Sequence, residues 1–274
     1  MKDSFSSKVV IYLSLAFWPL GILLNNTFSN SLIYLLPLIL VSISYLLHKK
    51  SKNYLIPIAF IGIIEPKLSL APVIIFGAQI LINNERVNGA KKLFFTLAVV
   101  VLIINFKTLL GQSIFTPDYE ARQEVIRNTL IYDRVFMARL FHNKARIRVD
   151  KFNDRMFALL DPSNYFFEFQ PRKMIIANQN LQKFPFAAIF LGLYGLYKFS
   201  KHKKHRYLLA LFFSLLMNLS ILNVFDRHDI VLWLPLSVIL IHGVHELSRK
   251  YSSANYLYVL VIGFGLIEFV RIFI

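Results

Sequence analysis

Ionisable side chains gather in short links between apolar runs, and these residues could do chemistry. Glu65-Pro66-Lys67 is one such link, and Asp226-Arg227-His228-Asp229 is a second. An arginine can bind a phosphate through two parallel hydrogen bonds, and a carboxylate or an imidazole can accept a proton from a hydroxyl group. The two links therefore predict a site that binds an anionic group and moves a proton. The alternative interpretation of each link is a charged turn in water.

Further candidates lie in the long polar stretch between the apolar runs. His142 belongs to His142-Asn143-Lys144, and Arg172-Lys173 follows the aromatic sequence 165–169. Aromatic residues beside cations are typical of a membrane interface. They could instead form a platform under a sugar, with Arg172 and Lys173 on a phosphate. Both interpretations remain open.

Motifs for metals and cofactors are absent from this sequence. It has no cysteine, no zinc signature, no glycine loop for phosphates and no nucleophile elbow. We therefore predict neither a metal site nor a cofactor.

The elements that must position these residues are membrane helices. The chain has 274 residues, of which 56% are hydrophobic and 17% charged, whereas soluble domains carry about 25% charged residues. A span needs about 20 apolar residues. We predict an all-α, polytopic bundle of about eight or nine spans, with one extracytoplasmic amphipathic segment. An N-terminal bundle covers 1–110 (spans 9–24, 31–47, 54–64, 70–82 and 92–110), and a C-terminal bundle covers 184–274 (spans 184–199, 206–225, 230–244 and 256–274). The runs 54–64 and 70–82 are short, so the region 54–82 either crosses twice or forms a re-entrant pair.

Charge in the loops predicts the orientation. With the N-terminus inside, three basic residues fall on short outer loops and the tail, namely Lys67, Arg227 and Arg271. Fifteen fall on inner loops: Lys2, Lys8, Lys49, Lys50, Lys52, Arg86, Lys91, Lys92, Lys198, Lys201, Lys203, Lys204, Arg206, Arg249 and Lys250. Inner loops are the basic ones in membrane proteins. The sequence predicts a multi-pass protein of the cell (inner) membrane, with a cytoplasmic N-terminus and an extracytoplasmic C-terminus. The net charge of +16 then suits anionic lipid rather than nucleic acid.

The stretch 111–183 is predicted to lie outside. Its apolar residues recur at helical spacing from Ile126 to Leu159, and its other face is basic. This pattern indicates an amphipathic helix lying at the headgroup level. We expect it to end near Leu160, where Asp161-Pro162-Ser163-Asn164 favours a turn.

Parts of the sequence resemble the GT-C superfamily of membrane glycosyltransferases. The hairpin Ile64–Pro72 looks like the short span pair of those enzymes, and Asp226–Asp229 leading into Leu232-Trp233-Leu234-Pro235 resembles one of their late spans. The segments 140–144 and 160–167 are similar to the outer loop of uncharacterised proteins with that architecture. The resemblance implies sugar transfer from a polyprenyl-phosphate donor at the extracytoplasmic face, with Glu65, Lys67, Arg227 and His228 lining the cavity.

One departure from the family leaves the enzymatic role open. GT-C enzymes carry their catalytic acid in the first outer loop, and the loop Asn25–Asn30 contains no acid. The chain could be a divergent or partial member that works with a partner membrane subunit. The alternative function is a non-enzymatic membrane component, such as a transporter or channel subunit or an assembly scaffold.

Overall fold

A computed structural model describes residues 31–49, 54–83, 89–116, 143–162, 165–166, 188–201, 206–223 and 227–251, with isolated positions from 119 to 136 and at 256. Eight α-helices lie in these ranges: α1 (Ser31–Lys49), α2 (Leu55–Ile64), α3 (Leu70–Asn83), α4 (Gly89–Gly111), α5 (Lys144–Leu160), α6 (Ala188–Lys201), α7 (Arg206–Ser220) and α8 (Trp233–Lys250). Two short 3₁₀ helices, Pro66–Leu68 and Arg227–Leu232, join α2 to α3 and precede α8. The described residues contain no β-strand, only one isolated bridge, so the all-α prediction is confirmed for them.

One described helical stretch, Lys92–Gly111, is long and apolar enough to cross a membrane. The other apolar helices are shorter: Leu36–His48, Leu55–Ile64, Pro66–Ile80, Ala188–Lys198 and Tyr207–Ser220. The predicted eight or nine crossings are therefore not shown by helix length. The predicted spans 9–24 and 256–274 lie outside the described residues, apart from Tyr256.

Prolines set the starts of several helices. Pro57, Pro72 and Pro235 each occupy the third position of their helix, in α2, α3 and α8. The N–H groups of a first turn have no intrahelical partner, so a residue without an N–H is tolerated there.

Pro66 acts differently, because a proline disfavours the helical conformation of the residue before it. Glu65 is accordingly extended (φ −128°, ψ 99°), and α2 ends at Ile64.

One end of the helix bundle, the tyrosine end, is held by His48, Tyr54 and Tyr207. The Tyr207 hydroxyl is hydrogen-bonded to Ser44 Oγ, which donates to the backbone carbonyl of Tyr54 at 2.6 Å. The three rings pack with centroid separations of 4.4–4.7 Å. The end of α1 and the starts of α2 and α7 therefore meet here.

The opposite end, the hairpin end, consists of Glu65–Ser69, Gln112–Thr116, Ile221–Asn223 and the 3₁₀ helix Arg227–Leu232. The Ile114 N–H donates to the Ile221 carbonyl at 2.8 Å, and the Asn223 N–H donates to the Gln112 carbonyl at 2.7 Å. These bonds join the last turns of α4 and α7. Because α7 runs from Tyr207 to this end, it connects the two ends of the bundle.

Glycines bring α6 and α8 into close contact. A Cβ on Gly195 would overlap the carbonyl oxygen of Ile239, and one on Gly243 would overlap that of Leu191. Gly192, three residues before Gly195, lies next to Leu240, three residues before Gly243. A Cβ on either Gly195 or Gly243 would also approach the backbone nitrogen of the other glycine. Because α6 ends five residues before α7 begins at the tyrosine end, and α8 begins at the hairpin end, α6 and α8 run in the same direction.

Candidate functional site

The hairpin turn holds the first candidate pair, Glu65 and Lys67. Glu65 Oε1 accepts a hydrogen bond from the Lys67 N–H at 3.2 Å, and the Glu65 N–H donates to the Ile61 carbonyl at 2.9 Å. The carboxylate thus caps the 3₁₀ helix that follows, and the residue is only 5% exposed. A charged turn in water would expose it. Burial removes water from the Glu65 carboxylate and costs solvation free energy. Hydrogen bonds within the protein, rather than water, therefore keep Glu65 in place.

Asn218 fixes this turn from α7. Its Nδ2 donates to the Lys67 carbonyl at 2.7 Å, and its Oδ1 accepts from the Ala71 N–H at 2.9 Å. Both groups lack a helical partner, because they lie at the junction of the turn with the start of α3. Asn218 is fully buried, so a single amide side chain satisfies two buried backbone groups.

A second amide supports α2 from the other side. Asn105 of α4 donates to the Gly62 carbonyl at 2.8 Å. Gly62 has no room for a side chain, because a Cβ there would approach Ser69 Cα and Val101 Cγ1 at 2.9 Å. The turn is therefore packed tightly between α4 and α7.

The second ionisable link, Asp226–Asp229, continues as a short helix instead of forming a tight turn. Arg227, His228 and Asp229 belong to a 3₁₀ helix that continues to Leu232, and α8 begins only at Trp233. This helix contacts α1, α7 and α8. Asp229 is half-buried in its first turn. Asp226 and the side chains of Arg227 and His228 lie outside the described part of the chain.

The basic helix α5 docks at this same end. It begins at Asn143, whose side chain accepts from the Arg146 N–H at 2.8 Å as an N-cap, and it ends at Leu160 as predicted. The Tyr165 hydroxyl donates to the Leu159 carbonyl at 2.7 Å, and the Tyr165 ring packs against Trp233 at 5.5 Å between centroids. The end of α5 is thus fixed to the start of α8.

Cations of α5 face the hairpin end and the solvent. The Arg148 guanidinium lies 5.7 Å from the centroid of the Phe115 ring, just after α4. Partial burial lowers the pKa of Arg155, and the nearby Asp154 opposes this shift. Arg146 and Asp150 form an exposed ion pair at 3.6 Å, which contributes little stability. Within α5, Leu159 is buried against protein, whereas Val149 and Phe157 are exposed. The predicted position of this amphipathic helix at the headgroup level stays a prediction.

The structure gathers part of the predicted site. Glu65, Lys67 and Asp229 all lie on turns that contact α7 at the hairpin end, and α5 also contacts α7. His142, Arg172, Lys173 and Asp226 lie outside the described residues. No group of three metal-ligating side chains occurs among the residues that the structure describes.

Sequence reasoning missed three amide side chains, of which Asn218 is buried and Asn105 and Asn223 are half-buried. Asn105, Asn218 and Asn223 each bind backbone carbonyls, and Asn223 Nδ2 donates to Ser113 at 2.6 Å. The available signal was a lone asparagine within or next to an apolar run, since polar side chains in membrane helices often bind neighbouring helices.

Comparisons with known proteins leave the family open: no family model, no curated protein and no solved structure matches this chain.

Proposed function

We propose that this chain is a multi-span protein of the cell membrane that binds a phosphate-bearing, lipid-linked substrate at its hairpin end. The single observation that carries the proposal is the docking of the basic helix α5, through Leu159 and Tyr165, onto Trp233. This docking brings a row of cations to the end that already holds Glu65 and Asp229.

Exposed apolar side chains support the membrane part of the proposal. Ile104 of α4 is 74% exposed, and Phe190 and Leu193 of α6 are 65% and 60% exposed. Further large apolar side chains are exposed on α1, α2 and α7. Soluble monomers rarely expose contiguous apolar patches of this kind. In a bilayer, the same side chains face lipid.

Helix direction supports repeated crossing. Between the tyrosine end and the hairpin end, α7 runs opposite to α3, since Asn218 contacts Ala71 near the start of α3. α6 ends five residues before α7 begins at the tyrosine end, and α7 runs from there to the hairpin end, where α8 begins. This alternation supports the predicted inside–outside order, with the tyrosine end cytoplasmic and 54–82 crossing twice.

Short helices can still cross as part of a bundle. α2 has 10 residues and α3 has 14, which at 1.5 Å per residue correspond to about 15 and 21 Å. A short span is accommodated by local thinning of the bilayer or by packing on neighbours. α4, with 23 residues, reaches about 34 Å and packs beside both of them.

The proposed reaction follows from the resemblance to GT-C enzymes. It is the transfer of a sugar from a polyprenyl-phosphate donor at the extracytoplasmic face. In this proposal the acceptor oxygen bonds to the anomeric carbon of the sugar as the bond from that carbon to the phosphate oxygen breaks. The cations of α5 and Arg227 bind the departing polyprenyl phosphate, while Asp229 or Glu65 accepts the proton of the acceptor hydroxyl. If the chain is instead a partial member of the family, the acidic residue that the first outer loop lacks comes from a partner membrane subunit, and that residue accepts the proton in place of Asp229 or Glu65.

Binding of a short-chain polyprenyl phosphate to the purified full chain tests this proposal. We expect Arg227→Ala to weaken binding at least about tenfold, the effect of losing one charge-assisted contact of about 1.5–3 kcal/mol. Arg249→Ala at the opposite end is the matched control, because it removes an exposed arginine there, and it should leave binding unchanged. Equal binding by both variants, with unchanged melting temperatures, would reject the site.

A non-enzymatic scaffold is the second candidate, and a specific observation favours it. Glu65, Asn143 and Asn218 all use their side chains to bind backbone groups. Under this alternative, Glu65→Gln alters the stability of the protein. The unaltered chain neither binds polyprenyl phosphate nor transfers a sugar. Measurable transfer by the unaltered chain would exclude it.

A further inference from the structure

Three cations of α5 form one row along the helix. Arg148, Lys151 and Arg155 follow one another at steps of three and four residues, and Leu159 continues the series. Residues at this spacing share one face of an α-helix. The three cations are called the basic row below.

Contacts at both ends turn this face toward the bundle. At one end the Arg148 guanidinium lies 5.7 Å from the centroid of the Phe115 ring, just after α4. At the other end Leu159 is buried, and its carbonyl accepts from Tyr165, whose ring packs on Trp233 at the start of α8. Between these ends α5 contacts α7. The helix therefore lies across the hairpin end, with the basic row on its bundle side.

Opposite charges are separated around α5. Lys151 and Arg155, in the middle of the docked face, are both half-buried, whereas Asp150 and Asp154 are exposed. These two are the acidic residues of the helix. The face turned to the bundle thus carries cations, and half-buried cations favour an anionic partner.

The length and charge of the basic row indicate the kind of anion. Arg148 and Arg155 are seven residues apart, about 10 Å along the helix. A single phosphate carries a charge of about −1.5 to −2, and its oxygens are too close together to reach three cations so spaced. A diphosphate has more charge and extends further along the row. Guanidinium groups suit it, because their paired N–H groups match phosphate oxygens.

We infer that the basic row binds a diphosphate group between α5 and the hairpin end. This inference rests on the proposed function and names the anionic part of its substrate. The bond from the anomeric carbon to the nearer phosphate oxygen breaks as proposed, and its electron pair leaves with a polyprenyl diphosphate. A soluble diphosphate offers the row the same chemistry, so the experiment includes both sources.

Isothermal titration of the purified full chain in detergent, at constant ionic strength, tests the row. The probes are inorganic pyrophosphate and inorganic phosphate. We expect pyrophosphate to bind at least about tenfold more tightly than phosphate, because it reaches one more charge-assisted contact. Lys151→Gln and Arg155→Gln should each weaken pyrophosphate binding at least about tenfold for the same reason.

Arg146→Gln is the matched control, because it removes an exposed arginine from another face of the same helix and changes the net charge equally. It should leave pyrophosphate binding unchanged. Arg155→Lys keeps the charge, so α5 should stay docked, while the loss of paired donors should still weaken pyrophosphate binding more than phosphate binding.

Two titration results would overturn the inference: equal losses in Arg146→Gln and Arg155→Gln, or equal binding of pyrophosphate and phosphate by the unaltered chain. Faster protease cleavage between residues 143 and 166 in Lys151→Gln and Arg155→Gln, with unchanged pyrophosphate binding, would also overturn it. The row would then only attach α5 to the bundle.

Farnesyl diphosphate separates the two sources of the group. Tighter binding of farnesyl diphosphate than of pyrophosphate, lost in Arg155→Gln, would support a lipid-linked diphosphate, whereas equal binding would support a soluble one. If Arg227→Ala loses polyprenyl-phosphate binding while the row variants keep pyrophosphate binding, the inference fails and the proposed function stands. If the row binds pyrophosphate but the unaltered chain binds no polyprenyl ligand, the proposed function fails and the diphosphate site stands.

Discussion

At the scale of single residues, buried side chains that satisfy backbone groups organise the hairpin end. Within the described ranges, Asn218 binds Lys67 and Ala71, whereas Asn105 binds Gly62 alone. Sequence reasoning selected Glu65 because it is charged, but its position inside the protein depends on Pro66 and on contacts from distant helices. A lone asparagine carries no sign of which backbone group it will bind, so these contacts could not be predicted.

Replacing Asn218 tests its contribution to stability. Asn218→Leu leaves a buried N–H and a buried carbonyl without a partner, and we expect the free energy of unfolding to fall by about 1–3 kcal/mol. Asn105→Leu removes a single hydrogen bond and should cost less. Thermal or denaturant unfolding of both variants in the same detergent provides the comparison. A larger loss for Asn105→Leu would contradict the described role of Asn218.

The hydroxyl of Tyr207 offers a milder change at the tyrosine end. Tyr207→Phe keeps the ring contacts with His48 and Tyr54 but removes the hydrogen bond to Ser44. We expect a loss of about 0.5–1.5 kcal/mol in the free energy of unfolding. Tyr207→Ala should cost at least twice as much, since it also opens a cavity. Equal losses for the two variants would show that ring packing contributes nothing.

At the scale of elements, the apolar runs of the sequence predict where the helices lie more accurately than they predict where the helices begin and end. The runs 31–47, 70–82 and 92–110 fall inside the helices Ser31–Lys49, Leu70–Asn83 and Gly89–Gly111, because an apolar run bounded by charges leaves few alternatives. The predicted span 230–244 differs, since residues 227–232 form a 3₁₀ helix and α8 extends to Lys250. Contacts with α1 and α7 shape that corner, and no local pattern encodes them.

The glycine contact between α6 and α8 gives an element-scale prediction. Gly195→Ala places a methyl group on the backbone of Ile239, so the helices must separate, and we expect a loss of about 1–3 kcal/mol in the free energy of unfolding. Gly77→Ala is the matched control, because it meets open space and gains helix propensity of about 0.5–1 kcal/mol. Unfolding measurements that rank Gly195→Ala as the more stable variant would contradict the close contact between α6 and α8.

The docking of α5 supplies another prediction at this scale. Trp233→Ala removes the ring against which Tyr165 packs, and α5 should lose its attachment to α8. We expect faster cleavage by added protease between residues 143 and 166, by at least about tenfold, because local opening exposes the backbone. Tyr251→Ala serves as the control, because it removes an exposed aromatic ring at the far end of α8, and it should leave this cleavage unchanged. Unaltered protection in Trp233→Ala would mean that α5 is held elsewhere.

At the scale of the whole molecule, two ends with different chemistry define the protein. Glu65, Asp229 and the basic α5 lie at the hairpin end, whereas Tyr207 and the start of α7 at Arg206 lie at the tyrosine end. The inside–outside orientation of the two ends, predicted from loop charge, stays a prediction. The sequence predicted which links share an end, because successive helices alternate in direction. It could not predict that α5 would pack on Trp233, since that contact joins segments separated by about 70 residues of chain.

The most direct measurement is the labelling of single cysteines, because the chain contains none. Lys144→Cys, Asp229→Cys and Arg249→Cys are expressed separately in intact cells and treated with a membrane-impermeant maleimide. Our account predicts that the first two react from outside, and that Arg249→Cys reacts only after permeabilisation. Reaction of Lys144→Cys and Asp229→Cys from opposite sides of the membrane would contradict the shared hairpin end.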